Sequence, residues 1–100
     1  MAYFIYILYS PSSDKYYVGY TNDFFRRLEE HNNSSHNTYT SKHRPWQIMA
    51  VFECGESEGE AMKIEKFIKK QKSRKLIERM IKGDLLEGNL AHLTRVILDS

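Results

Sequence analysis

Residues 3–21 read YFIYILYSPSSDKYYVGYT, two strand-like runs split by turn chemistry, and no other stretch so narrows what the chain can fold into. The first run, residues 3–9, is apolar on both alternating faces, with Tyr3, Ile5 and Ile7 on one and Phe4, Tyr6 and Leu8 on the other. A strand written that way is covered on both sides. The linker SPSSD at 10–14 closes a hairpin, and a four-residue loop from Ser10 to Ser13 pairs Tyr9 with Asp14 and sets Tyr6 directly opposite Tyr17. Directly opposed residues share a face with Cβ atoms roughly 5 Å apart, so two phenols would stand side by side. Tyrosine suits a pleated, half-buried surface, but each buried phenol also brings a hydroxyl that needs a partner.

Downstream, Thr21 or Asn22 is placed to cap a helix over about 22–32, Asp23 suits its positive end, and Phe24, Phe25 and Leu28 supply an apolar stripe. Arg27 and His31 are four apart and share a face of that helix. Residues 32–45 are polar and aperiodic and form a loop ended by Pro45, after which WQIMAVFE at 46–53 alternates as a third strand, with Trp46 in the core. Ser57 and Glu60 make a capping box for a helix over 58–71 with Ala61, Ile64 and Ile68 buried. Ser73 caps a third helix that carries Leu76, Ile77, Met80 and Ile81 on its apolar side and stops at Gly83. The order strand, strand, helix, strand, helix, helix predicts an α+β domain over residues 1–83, a small mixed three-stranded sheet flanked by helices. Residues 84–100, weakly periodic, are a C-terminal tail that forms at most a last short helix or strand.

Composition limits the functional classes. One hundred residues suit a single domain, no apolar run approaches the ~20 residues of a membrane span, and the N-terminus lacks a signal-peptide pattern, so a soluble cytoplasmic chain is expected. Cys54 is the single cysteine, which excludes an internal disulfide and agrees with a reducing compartment. The net charge of +2 hides an uneven distribution: residues 60–82 hold nine Lys/Arg against three Asp/Glu, which is +6, and the remainder is −4. Clustered basic charge is the footprint of a polyanion partner, and equally that of a solvated helix face.

Glu65 sits in the buried stripe of the second helix, where a carboxylate is costly without a cation or hydrogen bonds; an exposed Glu65–Lys69 pair at i, i+4 is the plain alternative. With Tyr6, Tyr17, Arg27 and His31 it forms a set that resembles the GIY-YIG nuclease family. The halves of the family signature fall on Phe4-Ile5-Tyr6 and Tyr17-Val18-Gly19, with ten residues between the two tyrosines. Arg27 and His31 match first-helix positions and Glu65 the metal-binding glutamate of the next long helix. Phe4 departs from the family's glycine, as in small stand-alone bacterial members resembling the excision-repair nuclease domain, and YTSKHRPW at 39–46 and SRK at 73–75 are similar to that subgroup. The resemblance covers residues 3 to about 82; beyond it, Asn89 is a candidate for the family's distal asparagine.

The resemblance implies a metal-dependent endonuclease that cuts DNA to a 5′ phosphate and a 3′ hydroxyl, acting on DNA structure or in DNA repair. Such cleavage needs an activated water, a cation on the phosphate and help for the leaving oxygen. Glu65 is a hard oxygen ligand for one Mg²⁺ or Mn²⁺ ion, and the Arg27 fork suits phosphate oxygens. Tyr6 is the favoured general base, Tyr17 a holder of phosphate or metal water, and His31 an orienting or relaying group. Gly19 permits close backbone approach or a strand-end bend. All four polar side chains, Tyr6, Tyr17, Arg27 and Glu65, are expected to face one cleft, with Tyr17 and Glu65 on the same face of the sheet. Tyr39, Arg44, Lys66, Lys69 and Lys70 are candidates for nucleic-acid contact, to DNA with RNA as the alternative, and a protein partner would supply target specificity. A non-catalytic nucleic-acid-binding domain is the competing function, and a protein-interaction module the third. His31, His36, His43 and Cys54 fit no standard zinc spacing.

Overall fold

The structure is a computed structural model that describes residues 1–33 and 39–98. It contains strands β1 (Tyr3–Ser10) and β2 (Lys15–Thr21), helix α1 (Phe24–Asn33), a 3₁₀ turn (Thr40–His43), strand β3 (Gln47–Gly55), helices α2 (Glu58–Gln71) and α3 (Arg74–Lys82), a second 3₁₀ turn (Gly88–Leu90) and strand β4 (Thr94–Arg95). The strands form one sheet in the order β2-β1-β3-β4, and every pairing is antiparallel. The architecture is α+β, but the expected mixed three-stranded sheet is corrected on two counts. No parallel pair is made among the described residues, and β4 comes from the stretch after Gly83, too short to leave a period in the sequence.

β1 is central and buried on both faces. Ile5, Ile7 and Val18 pack with Ala50 and Phe52 against Ala61, Ile64 and Ile68 of α2 and Met80 of α3. On the opposite face Tyr6, Leu8, Val51 and Trp46 pack with Phe24 and Leu28 of α1. Phe25 does not join that stripe: it is 60% exposed, because at the first turn of α1 it points away from the sheet. Asp23 is the cap itself, its Oδ1 accepting from Arg26 N–H at 3.1 Å, while Thr21 Oγ1 accepts from Asp23 N–H at 3.0 Å. Ser57 and Ser73 cap α2 and α3 through their hydroxyls, and Gly83 ends α3 at φ 93°, left-handed backbone that favours glycine.

The hairpin register differs from the expected one. Ser10 pairs with Lys15, so Leu8, not Tyr6, lies opposite Tyr17, and Tyr6 lies opposite Gly19. The four-residue loop has the expected length but starts one residue later, at Pro11, and ends on Asp14 at φ 52°. Ties outside the strands hold that turn. Arg74 Nη1 and Nη2 donate to Asp14 O and Oδ1 at 2.9 and 2.6 Å, and Tyr9 OH donates to Asp14 Oδ1 at 2.7 Å. Moving the pairing by an even number of residues keeps every side chain on its face. Tyr6 and Tyr17 therefore remain neighbours, now diagonal, with ring centroids 6.3 Å apart.

Residues 94–98 close onto the sheet. Val96 N–H donates to Val51 O at 2.8 Å, and Val96 and Leu98 pack on the Tyr6 face. Arg95 Nη1 donates to Met80 O and Ile81 O at 3.1 and 2.9 Å, satisfying carbonyls at the α3 C-terminus, while its guanidinium lies over Phe52. Among the described residues no helix is long and apolar enough to cross a membrane. Replacing Arg95 with Ala should cost about 1 kcal/mol, the scale of such hydrogen bonds at a solvated site. Urea unfolding measures it, and an unchanged midpoint would show that this arginine does not fasten β4 to α3.

Candidate active site

Tyr6 determines the geometry of the site. Its ring lies across Gly19 on the neighbouring strand, and a Cβ at residue 19 would overlap the Tyr6 hydroxyl oxygen and Cζ. Glycine is thus needed for close approach of a phenol, not for an unusual φ. Tyr6 is 1% exposed, and its hydroxyl lies 2.9 Å from His31 Nε2. Burial raises the Tyr6 phenol above the ordinary tyrosine range, reinforced by Tyr17 and opposed by the Arg27 guanidinium. His31, the one buried residue of α1, is pushed down to about 4 by burial and then by the positive charge of Arg27. At neutral pH this pair is a neutral phenol on a neutral imidazole.

Tyr6, Tyr17, Arg27 and Glu65 line one cavity of about 400 Å³. The expected shared face is corrected: Tyr17 and Glu65 reach the cavity from opposite sides of the sheet. Tyr6 and Tyr17 stand on the α1 face, whereas α2 packs on the other, so convergence takes place around the free edge of β2. An edge strand presents backbone N–H groups with no strand partner. One of these, Tyr20 N–H, donates to Glu65 Oε2 at 3.1 Å and so draws the carboxylate over the edge. Glu65 Oε1 lies 3.4 Å from Lys69 Nζ, the i, i+4 pair that the plain reading called for, and Lys69 Nζ is 4.9 Å from the centre of the Tyr17 ring. Arg27 Nη1 pairs with Glu30 Oε1 at 2.9 Å at the cleft's outer wall. Tyr17 stands edge-on to His31 at 4.9 Å between centroids.

Glu58 also lines the cleft and was not singled out from sequence; its Oε2 accepts from Tyr20 OH at 3.3 Å. Its signal was the spacing to Glu65, two helical turns on the same face. Asn89 lines a different cavity with Glu60, Lys63 and His92, and is not part of this cleft. Among the basic and loop candidates, Lys69 and Tyr39 border a neighbouring cavity. Lys66 and Lys70 are exposed on α2. Arg44 Nε donates to the His31 carbonyl at 2.7 Å, holding the C-terminal turn of α1. Asn32 ties the same turn to β3 through Trp46, accepting from its N–H at 2.6 Å and donating to its carbonyl at 3.0 Å. His36 lies outside the described residues; among those described, no three His, Cys, Asp or Glu side chains gather to hold a metal.

The family model described as the GIY-YIG catalytic domain matches residues 2–78. A UPF0213 protein of Listeria monocytogenes serotype 4b is 40% identical over 80 residues, 76% of this chain and 88% of that protein. A UPF0213 protein of Bacillus licheniformis is 36% identical over 87 residues, 87% of each chain. The solution structure of a UPF0213 protein from Bacillus halodurans is 30% identical with a TM-score of 0.48, covering 82% of this chain and 84% of that one.

Two outcomes follow from the Tyr6 contacts. Gly19→Ala forces the phenol off its position and should cost about 1–3 kcal/mol, the usual scale of overpacking; a urea midpoint equal to wild type would contradict the contact. The second concerns pH. The folded value of His31, about 4, is below its ordinary 6.5, so between these values the unfolded chain binds more protons. This contribution is therefore full above pH 6.5 and lost as pH falls toward 4, up to about 3 kcal/mol. Thermal midpoints of wild type and His31→Gln across that range should converge as acid is added, and parallel curves would refute it.

Proposed function

This chain belongs to the GIY-YIG family, a nuclease family, and we propose from that premise that it hydrolyses DNA phosphodiester bonds with one divalent cation. The observation that carries the reading is the convergence of Tyr6, Tyr17, Arg27 and Glu65, from two strands and two helices, on one cleft. A packing role alone would not bring two phenols, a guanidinium and a carboxylate to the lining of one cavity.

The donor set fits Mg²⁺ or Mn²⁺, which keep several waters and take one or two carboxylates together with phosphate oxygens. Glu65 is the residue to hold the ion, with Glu58 bordering the same space. When bound, the cation supplies positive charge to the reacting phosphate and to the leaving oxygen. Arg27 presents a planar fork to the phosphate oxygens from α1. Tyr6 is the group to receive the water proton. With Nε2 of His31 bare, the Tyr6 proton passes to the imidazole as the phenol oxygen takes one from water, and neither ring carries a charge beforehand. The elevated phenol and depressed imidazole make that transfer costly in the free protein. Tyr17, between His31 and Lys69, is placed to hold phosphate or an ordered water.

So small a domain has little surface for reading bases, which favours structure-directed cutting, as in DNA repair, or a protein partner that supplies the target. The buried thiol of Cys54 agrees with a reducing compartment such as the cytoplasm. One observation favours the second reading, a nucleic-acid-binding domain without catalysis: both Glu65 oxygens already have partners, Tyr20 N–H and Lys69.

Glu65→Gln separates the two. Glutamine retains an acceptor for Tyr20 N–H but not the charge that holds a cation, so Mg²⁺-dependent nicking should fall at least about a hundredfold. The lost Lys69 pair, half exposed, costs at most about 1 kcal/mol. Nicking assays across nicked, flapped, branched, duplex and single-stranded DNA and RNA, with thermal midpoints, provide the measurement; a fully active variant eliminates Glu65 as the metal ligand.

A further inference from the structure

A second cavity, of about 390 Å³, shares Tyr17 with the cleft and opens between β2, the 3₁₀ turn and the α2–α3 junction. Ile68 and Ile77 give it an apolar floor, and Tyr39, 48% exposed, offers a ring face beside Tyr17, the two planes 28° apart. Three ammonium groups border it, those of Lys15, Lys69 and Lys72. Lys15 and Lys72 are exposed and make no ion pair among the described residues. The one carboxylate on its wall, Asp14, is neutralised by Arg74 at 2.6 Å.

We propose that this cavity is a subsite for one unpaired nucleotide of the strand being cut, adjacent to the cleaved phosphate. The inference rests on the nuclease reading and deepens it. An apolar floor with an exposed ring receives the π-face of a base, which stacks without sequence preference. Unpaired ammonium groups at the rim receive the flanking phosphates as point charges. A volume at the lower end of the range for small-ligand sites accommodates one nucleotide and not a base pair with its stacked neighbours. Because Tyr17 lines both cavities, a strand with its phosphate in the cleft continues directly over Tyr39. A base held in a duplex cannot reach that ring without leaving its stack, so the pocket selects nicks, flaps, frayed ends and single strands over continuous duplex.

The test is binding, in the Glu65→Gln background so that the probes stay intact. Fluorescence anisotropy is read with fluorescein-labelled oligothymidylate and with a labelled duplex of the same length. Tyr39→Ala should weaken oligothymidylate binding about tenfold, the scale of one base–ring stack, and leave the duplex nearly unchanged. Lys15→Gln with Lys72→Gln should flatten the salt dependence for oligothymidylate by roughly one to two phosphate contacts, while Lys82→Gln, remote from the cavity, should not. Equal losses on both probes, or none, overturn the subsite and leave the nuclease reading standing. Failure to bind either probe overturns both. All these side chains are exposed, so circular dichroism should confirm that each variant is folded.

Discussion

The Tyr6 ring can cross to the next strand only because residue 19 has no side chain, and most of the site's geometry depends on that contact. Central strand β1 is buried on both faces, so a hydroxyl borne by it would ordinarily be sealed in the core. Laid across Gly19, the phenol reaches the edge of a narrow sheet, where one strand separates the core from solvent. His31 completes the arrangement from below, giving the hydroxyl a partner at 2.9 Å. The imidazole is kept neutral by the burial that makes it a good partner, and its helix is anchored by Arg44 and Asn32.

The free edge of β2 performs a second task. Edges are normally liabilities, rows of unpaired donors that invite another chain. Here Glu65 accepts from one such donor and Tyr17 and Lys69 cover the neighbouring stretch, so features that protect the edge also assemble the cleft. This is why residues from opposite faces meet. A carboxylate on the α2 side and phenols on the α1 side need only reach around a single strand.

The features legible in sequence are those written by local chemistry. Ser57, Ser73 and Gly83 announce helix ends through groups bonded within a few residues, and α2 begins and ends where its period and cap require. Tyr6, Tyr17, Arg27 and Glu65 were legible through their joint spacing, since Tyr6 or Arg27 alone reads as packing or surface charge. The register was not, because Arg74, sixty residues away, helps to hold the turn at Asp14. An even displacement left faces unchanged, so the tyrosine pair survived an incorrect pairing and only the neighbour of Tyr6 changed, to Gly19. Strand β4 is two residues long and owes its place to Arg95 contacts with α3 and Phe52, which leave no periodic trace. Glu58 was hidden because a first-turn glutamate is already explained by the helix dipole.

The same economy explains how the basic charge of residues 60–82 is used. Neutralising it by internal pairing would stabilise the helices only slightly, since exposed pairs contribute little. Most of it is instead left in solvent, while Lys69 is held at the boundary between two cavities by Glu65 and the Tyr17 ring. A cation fixed there is positioned without being consumed. It lies beside the carboxylate through a weak, half-exposed contact at 3.4 Å, one that an incoming phosphate can replace at small cost. Arg74, by contrast, is committed to Asp14 at 2.6 Å and to Tyr16, and stabilises the turn from which β2 starts. Two cations of one basic segment thus serve different ends, and their own exposure, 44% and 48%, does not distinguish them. Contact geometry does: the short charge-assisted bonds to the turn fix the fold, and the long one at the cleft leaves its charge available to a ligand.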